Sequence, residues 1–339
     1  MTAADPAAQG ALPAPPTLAD IVAAARRIGG VAVRTPLLES PLLNDRLGAR
    51  LLVKAEPLQR TGSFKIRGAM NAVAQLPREA RAAGVVAFSS GNHAQGVAAS
   101  ARYAGVPATI VMPADAPGIK KRNTEAWGAR VITYDRLTED REAIGRALAE
   151  ETGATLIPPF DHPDVIAGQG TVGLEIAEQC AELGATPDAV LVCCSGGGLS
   201  AGIATALADR MPGVPVHPVE PAAYDDTRRS LAEGRRVRID PPAEGSICDA
   251  LLLAEPGRLT FAINRSLLAP GLTVTDDQAL DAMAVAFGEL RLVVEPGGAV
   301  ALAAALSGAL PIEGRTIVAV ATGGNVDPAV YARALERVR

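Results

Sequence analysis

The sequence has few aromatic residues, and its positive and negative charges nearly balance. Phe, Trp and Tyr make up 3% of its 339 residues, and 32 Lys and Arg stand against 37 Asp and Glu, for a formal net charge of -5. It has no basic stripe interleaved with aromatic residues, which is the pattern expected of nucleic-acid binding. We therefore expect no nucleic-acid partner.

Cysteines are also scarce. Four in a chain of 339 residues, without CxxC spacing, form neither a disulfide framework nor a metal motif. Cys193 and Cys194 end an apolar run and are predicted to be buried small hydrophobic residues. Reduced thiols of this kind are typical of a cytoplasmic protein.

Long hydrophobic runs are missing too. The longest uncharged run, Ala189 to Ala208, contains four glycines, which favours strand, turn and helix over a membrane span. Residues 1–16 have neither the basic nor the apolar region of a signal peptide, and their Ala, Pro and Gly content predicts a disordered leader. We expect no membrane partner.

Apolar strand-like runs alternate with Ala-rich helical runs along the rest of the chain. This alternation predicts an α/β fold with largely parallel sheets covered by helices. The predicted strands are Arg50 to Ala55, Gly84 to Phe88, Ala108 to Met112, Ala129 to Tyr134, Ala189 to Cys194, Val214 to Val219 and Thr316 to Ala321. A Pro-rich segment at Thr155 to Pro163 indicates a boundary between two blocks.

The first chemical motif is SFKIRGA, which contains Lys65 and follows the turn signal Thr61-Gly62. Its position predicts an amine close to a helix start. A lysine desolvated beside a helix N-terminus has a lowered pKa and can attack a carbonyl, as Schiff-base chemistry requires. Taken alone, the motif also fits a solvated surface lysine.

Two loops of small residues precede predicted helices. SSGNHAQG, from Ser89 to Gly96, presents backbone N–H groups suited to a carboxylate or phosphate, although a capped helix start without a ligand fits as well. SGGGL, from Ser195 to Leu199, has the composition of a phosphate cradle. Its glycine spacing is also close to that of the dinucleotide-binding motif, and Glu220 lies where a ribose-binding acid is expected. On this segment alone, a nicotinamide oxidoreductase is therefore an alternative interpretation.

Taken together, the motifs resemble the serine/threonine dehydratase family of pyridoxal-phosphate enzymes, the group that includes serine racemase. The likeness spans roughly Arg34 to Asp327. It depends on SFKIRGA, SSGNHAQG, VIAGQGT, SGGGLSAG, VEP with the following DD, VVEPGGAVALAA and TGGN, in that order.

The resemblance implies fold type II, as in the tryptophan synthase β chain: two open, twisted, mostly parallel sheets with helices on both faces. Residues 17–79 and 158–339 would form a large cofactor-binding domain, and residues 80–157 a small one. Relatives are commonly assembled as homodimers or homotetramers.

The resemblance also implies the site. Lys65 would carry pyridoxal phosphate as a Schiff base, Asn92 would bond its ring hydroxyl, and Thr322 would face its pyridine nitrogen. The phosphate would bind Ser195, Gly196, Gly197, Gly198 and Leu199. The substrate carboxylate would bind Ser89, Ser90, Gly91, Asn92 and His93.

Two further expectations follow from the family. Ser90 would lie opposite the lysine and could protonate a carbanion, which allows racemase side activity; a serine that only caps the loop is the alternative. Glu220, Asp226 and the carbonyl of Tyr224 match a magnesium or calcium site, although an acidic loop without a ligand fits the same pattern. Glu295 has no role that the sequence assigns.

The predicted function is β-elimination from a small hydroxy amino acid, giving a 2-oxo acid and ammonia, with L-threonine and L-serine as first substrates. The alternatives are threo-3-hydroxyaspartate dehydratase, serine racemase and a hydroxyectoine-pathway dehydratase. A basic residue near the β-carbon would favour hydroxyaspartate, because a second carboxylate needs a charged partner. A sensor that kept the fold and lost the chemistry is a further class, which the intact motif set disfavours.

Overall fold

A computed structural model describes residues 11–89, 91–116, 118–135, 137–240 and 245–338. Its helices are α1 Leu18–Ile28, α2 Pro41–Leu47, α3 Lys65–Ala74, α4 Asn92–Ala104, α5 Gly118–Ala126, α6 Arg141–Thr152, α7 Pro163–Glu182, α8 Gly198–Arg210, α9 Asp226–Glu233, α10 Arg258–Leu267, α11 Asp276–Leu290, α12 Pro296–Leu306 and α13 Pro328–Leu335. Short 3₁₀ helices lie at Glu56–Leu58, Arg78–Ala80 and Asp249–Leu251.

The strands form two sheets. They are β1 Leu37–Glu39, β2 Arg50–Ala55, β3 Val85–Phe88, β4 Ala108–Pro113, β5 Arg130–Tyr134, β6 Thr155–Leu156, β7 Ala189–Cys193, β8 Val216–Pro221, β9 Leu272–Val274 and β10 Thr316–Ala321. One sheet has the order β1-β2-β10-β7-β8-β9 and the other β5-β4-β3-β6. Apart from the antiparallel pair of β1 and β2, the described strand pairs are parallel. The predicted α/β fold with mostly parallel sheets is confirmed.

The larger sheet is covered by helices on both faces. Successive side chains of a strand point to opposite faces. In β7, Leu191 and Cys193 pack with apolar residues of α11 and α12, whereas Val190 and Val192 pack with those of α7 and α8. Burial on both faces explains why this strand reads as a continuous apolar run in the sequence.

The smaller sheet has the same layered construction. Val85 and Ala87 of β3 contact the apolar faces of α3 and α4, while Phe88 packs with Ile144 and Leu148 of α6. All four strands of this sheet lie between Val85 and Leu156. They fall inside the predicted small domain of residues 80–157, and the domain division itself stays a prediction.

Local patterns predicted most element positions well. Strands β2 and β10 have the bounds that their strand-like runs predict. Strands β1, β6 and β9 were missed because two or three residues are too short for a periodic pattern. Residues 1–10 of the predicted leader lie outside the described residues. No described helix combines the length and apolarity needed to cross a membrane.

Candidate active site

The carboxyl ends of three strands converge on one cavity. Strands β3, β7 and β10 end at Phe88, Cys193 and Ala321, and the loops that follow them line a cavity of about 200 Å³. The carboxyl edge of a parallel sheet is the usual position of a ligand site in α/β proteins. The cavity therefore collects the predicted site residues Lys65, Ser89, Gly91, Asn92, His93, Ser195, Gly196, Gly197, Gly198, Leu199 and Thr322.

Lys65 is the first residue of α3 and is aimed into this cavity. The preceding Phe64 donates its backbone N–H to the carbonyl of Thr322 at 3.1 Å, which holds the helix start against the end of β10. The ammonium of Lys65 donates to the carbonyl of Pro159 at 2.8 Å. Burial lowers the pKa of Lys65 to about 8, against an opposing effect of Glu295. This environment is that of a reactive amine, and the interpretation as a solvated surface lysine is wrong.

The Asn92 side chain is held on both sides. Its Nδ2 donates to Oε1 of Glu295 at 2.5 Å, and its Oδ1 accepts from Nδ2 of Asn325 at 2.7 Å. Asn325 also donates to the carbonyl of Thr61 at 2.8 Å. The amide orientation of Asn92 is thereby defined by two neighbours, and Glu295 acquires a structural role that sequence reasoning left open.

Glu295 is buried beside the cavity. Burial, together with the negative charge of Asp249, raises its pKa to about 7, although the hydrogen bond from Asn92 acts in the opposite direction. A carboxyl with this pKa exchanges a proton near neutral pH. Glu295 is therefore a titrating group in contact with a predicted cofactor-binding residue.

His93 packs behind the loop that follows β3. Its Nε2 lies 2.9 Å from the carbonyl of Ile157, and the side chain is 2% exposed. Burial, with the positive charge of Lys65, lowers the pKa of His93 to about 3, so the ring is neutral at physiological pH. Its contribution to carboxylate binding through the loop stays a prediction. Ser90 lies outside the described residues.

The glycine loop has the geometry of an anion cradle. Gly197 has φ +87°, a conformation that favours glycine, and a Cβ on Gly196 would overlap the ring of Phe160. Helix α8 begins at Gly198, so its first N–H groups lack intrahelical acceptors. The buried hydroxyl of Ser195 has no hydrogen-bond partner among the described residues. A phosphate group would satisfy these donors.

Two cations that sequence reasoning missed also line the cavity. Lys120 on α5 lies 2.5 Å from Asp249, and the Arg141 guanidinium at the start of α6 lies 5.8 Å from the ring centre of Phe88. Both belong to charged helices that resemble ordinary solvated surface. No local pattern in the sequence distinguishes them, because the fold alone brings them to the cavity.

The predicted metal residues lie beyond the glycine loop. Glu220 is the next-to-last residue of β8 and accepts the backbone N–H groups of Thr227 at 3.0 Å and Arg228 at 2.8 Å. Burial raises the pKa of Asp226 to about 7 and that of Glu220 well above its usual value, with the charge of Asp226 adding to the latter. Across the described chain, no cluster of three or more His, Cys, Asp or Glu residues could hold a metal ion.

The chain is similar to a known protein family and to characterised enzymes. The family model described as pyridoxal-phosphate dependent enzyme matches residues 29–323. The L-threo-3-hydroxyaspartate ammonia-lyase of Saccharomyces cerevisiae is 46% identical over 317 residues, 94% of this chain and 95% of that enzyme. The serine racemase of Schizosaccharomyces pombe is 41% identical over 322 residues, 95% of this chain and 98% of that enzyme.

A solved structure agrees with these relatives. A threonine deaminase from T.th. superimposes with a TM-score of 0.86 at 46% identity, covering 92% of this chain and 99% of that one. The fold is thus that of a fold type II enzyme. The chain belongs to the pyridoxal-phosphate-dependent enzyme family. The nicotinamide interpretation of the glycine loop has no support among these matches.

Proposed function

We propose that this enzyme eliminates water from a hydroxy amino acid with a second carboxylate, for which L-threo-3-hydroxyaspartate is the model, and that water then hydrolyses the released enamine, so that the net loss is ammonia alone. The products are a 2-oxo dicarboxylic acid and ammonia. The observation that carries the proposal is the pair of cations, Lys120 and Arg141, in the same cavity as Lys65. The 46% identical ammonia-lyase of Saccharomyces cerevisiae supports the same substrate class.

The cofactor would be held by residues that fit it. Lys65 supplies the amine for covalent attachment, Asn92 and Thr322 supply polar groups to the ring, and the phosphate fits the N–H groups and the hydroxyl of Ser195–Leu199. When bound, pyridoxal phosphate withdraws electrons from the α-carbon of the amino acid. Thr322 would offer the ring a neutral hydroxyl in place of a carboxylate, which would make the bound cofactor a weaker electron acceptor and favour prompt loss of the β-substituent.

Chain residues would bind the substrate and move its protons. The N–H groups at the start of α4 and in the Ser89–His93 loop fit the α-carboxylate. Because burial lowers the pKa of Lys65 to about 8, about a tenth of the free amine would be unprotonated at pH 7, far more than for an exposed lysine, and this fraction could remove the α-proton. Ser90 remains our candidate donor on the opposite face, which would permit racemase side activity.

The cations distinguish a dicarboxylate from threonine. A second carboxylate inside a cavity needs a charged, hydrogen-bonding partner, and a guanidinium provides one in bidentate geometry. The methyl group of threonine can form neither an ion pair nor a hydrogen bond with such a partner. Arg141, which stacks near Phe88 without an ion-pair partner among its described contacts, is the better placed of the two, since Lys120 is paired with Asp249.

Replacing Arg141 with methionine tests the substrate class. We expect kcat/KM for L-threo-3-hydroxyaspartate to fall about 100-fold, because the variant loses one charge-assisted bidentate contact with the substrate. Turnover of L-threonine should be unchanged. The measurement is release of 2-oxo acid from both substrates by wild type and variant.

Arg146→Met provides the matched control, because Arg146 lies on the same helix and its side chain is 59% exposed. It should leave both substrates unaffected. Equal losses on both substrates in Arg141→Met, or no loss on either, would rule out Arg141 as the distal-carboxylate partner. Threonine or serine would then become the leading substrate.

We also propose a divalent cation at Glu220, Asp226 and the carbonyl of Tyr224. Two buried carboxyl groups that repel each other, with Oδ2 of Asp226 lacking a hydrogen-bond partner in the described chain, fit a hard cation. Millimolar magnesium should raise the thermal unfolding midpoint of the wild type, and EDTA should reverse the rise. Asp226→Asn should remove the magnesium effect, and a shift that persists in this variant would contradict the site.

We also propose a cytoplasmic setting and an oligomeric state for the enzyme. Its four cysteines, Cys180, Cys193, Cys194 and Cys248, are buried and unpaired, which supports a reducing cytoplasm. Assembly as a homodimer or homotetramer is proposed from the family.

A further inference from the structure

Two carbonyl groups of the glycine loop are held by side chains of α10. The hydroxyl of Thr260 donates to the carbonyl of Gly196 at 2.6 Å, and Nδ2 of Asn264 donates to the carbonyl of Gly197 at 3.3 Å. Thr260 and Asn264 are fully buried, and neither belongs to the lining of the cavity. Helix α10 thus contacts the loop from a side that does not face the cavity.

The Thr260 bond orients the carbonyl of Gly196, and the Asn264 bond supports the carbonyl of Gly197, which also accepts the N–H of Ala201 at 2.9 Å and the hydroxyl of Ser200 at 3.0 Å. The direction of each carbonyl sets that of the N–H group that follows. In a trans peptide, a carbonyl and the next N–H point in opposite directions. Drawing the carbonyls of Gly196 and Gly197 toward α10 therefore turns the N–H groups of Gly197 and Gly198 away from it. Those amides lie where α8 begins, the part of a helix that attracts anions.

Helix α10 is itself fixed at its start by a residue from another part of the chain. The carboxylate of Asp161 accepts the backbone N–H groups of Arg258 at 2.9 Å, Leu259 at 3.0 Å and Thr260 at 3.0 Å. The preceding Phe160 packs on Gly196. The helix, the loop and the Pro159–Asp161 segment therefore form one connected support.

We propose that Thr260 and Asn264 are positioning residues for phosphate binding: they aim the amides of the glycine loop at the cofactor phosphate without touching it. The inference depends on the proposed role of Ser195–Leu199 in holding the phosphate, and it is independent of the identity of the substrate. Neither residue carries charge, so their effect must come from the geometry that their hydrogen bonds impose.

The test compares two ligands that differ in the phosphate alone. We expect Thr260→Val to raise the dissociation constant of pyridoxal phosphate for the apoprotein about tenfold, because one buried hydrogen bond that orients the loop is lost. Binding of pyridoxal, which reaches Lys65 without a phosphate, should not change. Thr260→Ser keeps the hydroxyl and should restore the wild-type value. Asn264→Leu should shift the affinity for pyridoxal phosphate in the same direction as Thr260→Val but by less, because the carbonyl of Gly197 keeps its bonds from Ala201 and Ser200.

Control variants separate positioning from general damage. Thr205→Val removes a threonine hydroxyl that bonds the carbonyl of Ala201 within α8, away from the loop, and should change neither affinity. The thermal unfolding midpoint of each apoprotein shows whether it is folded. If Thr260→Val weakens both ligands equally, or neither, the proposed positioning role is wrong.

Gly197→Ala distinguishes failure of this inference from failure of its premise. A side chain at φ +87° strains the loop itself, so this variant should reduce the preference for pyridoxal phosphate over pyridoxal. If it does so while Thr260→Val and Asn264→Leu do not, the loop holds the phosphate without help from α10. If the preference survives Gly197→Ala as well, the phosphate assignment of the loop is overturned.

Discussion

Replacing Lys65 with alanine should lower 2-oxo acid production by roughly 10⁴-fold or more, because we propose that this one amine provides both the covalent attachment of the cofactor and the base for the α-proton. No other described lysine takes its place: Lys120, the other lysine of the cavity lining, is paired with Asp249. The visible absorbance of the cofactor bound to lysine should disappear from the purified protein.

Activity and the absorbance spectrum are measured together on wild type and Lys65→Ala. Lys121→Ala serves as the control, since Lys121 lies on α5 and donates to the carbonyl of Ala114 outside the cavity lining. That variant should match the wild type in both measurements. A Lys65→Ala protein that keeps the wild-type spectrum would show that another residue carries the cofactor.

Replacing Arg67 with methionine should cost about 3–5 kcal/mol of unfolding free energy, the range for breaking a buried ion pair from one side. Arg67 is fully buried on α3 and donates to Glu56 at 2.9 and 2.8 Å and to Glu175 at 2.6 and 2.8 Å. Burial is the largest single effect on Glu56 and acts to raise its pKa, but the charge and hydrogen bonds of Arg67, together with Lys54 and Thr35, hold that pKa below its usual value. Without Arg67, the Glu56 carboxylate is left in the core with Lys54 as its remaining nearby cation.

Urea unfolding of the two proteins measures this loss. Arg34→Met is the matched control: Arg34 pairs with Glu182 at 2.6 Å, but both side chains are largely exposed, so its loss should cost less than about 1 kcal/mol. Adding Glu56→Gln to Arg67→Met should recover part of the stability, because it removes the uncompensated charge. An Arg67→Met protein as stable as Arg34→Met would contradict the described charge network.

Residues that are close in the sequence were the predictable part of the site. Lys65 at a helix start and the glycines before α8 could be recognised locally, because a turn, a small-residue loop and a helix start are each determined by adjacent residues. The strands were predictable for a similar reason: β2, β7 and β10 are apolar runs buried on both faces.

The residues that select a substrate could not be predicted in this way. Lys120 and Arg141 look like solvated charges in the sequence, and only the packing of α5 and α6 beside the smaller sheet brings them to the cavity. Glu295 belongs to one of the sequence motifs, but its partner Asn92 is distant in the chain. The contact between them therefore depends on tertiary structure. The burial that lowers the pKa of Lys65 is likewise a property of the fold.

The most direct test is 2-oxo acid release by the purified, cofactor-loaded enzyme, compared across L-threo-3-hydroxyaspartate, L-threonine, L-serine and D-serine. The proposed site predicts release from these hydroxy amino acids with a clear preference for L-threo-3-hydroxyaspartate. A preference for threonine or serine would contradict the role assigned to Lys120 and Arg141. Release from none of them by a protein that carries its cofactor would contradict β-elimination itself.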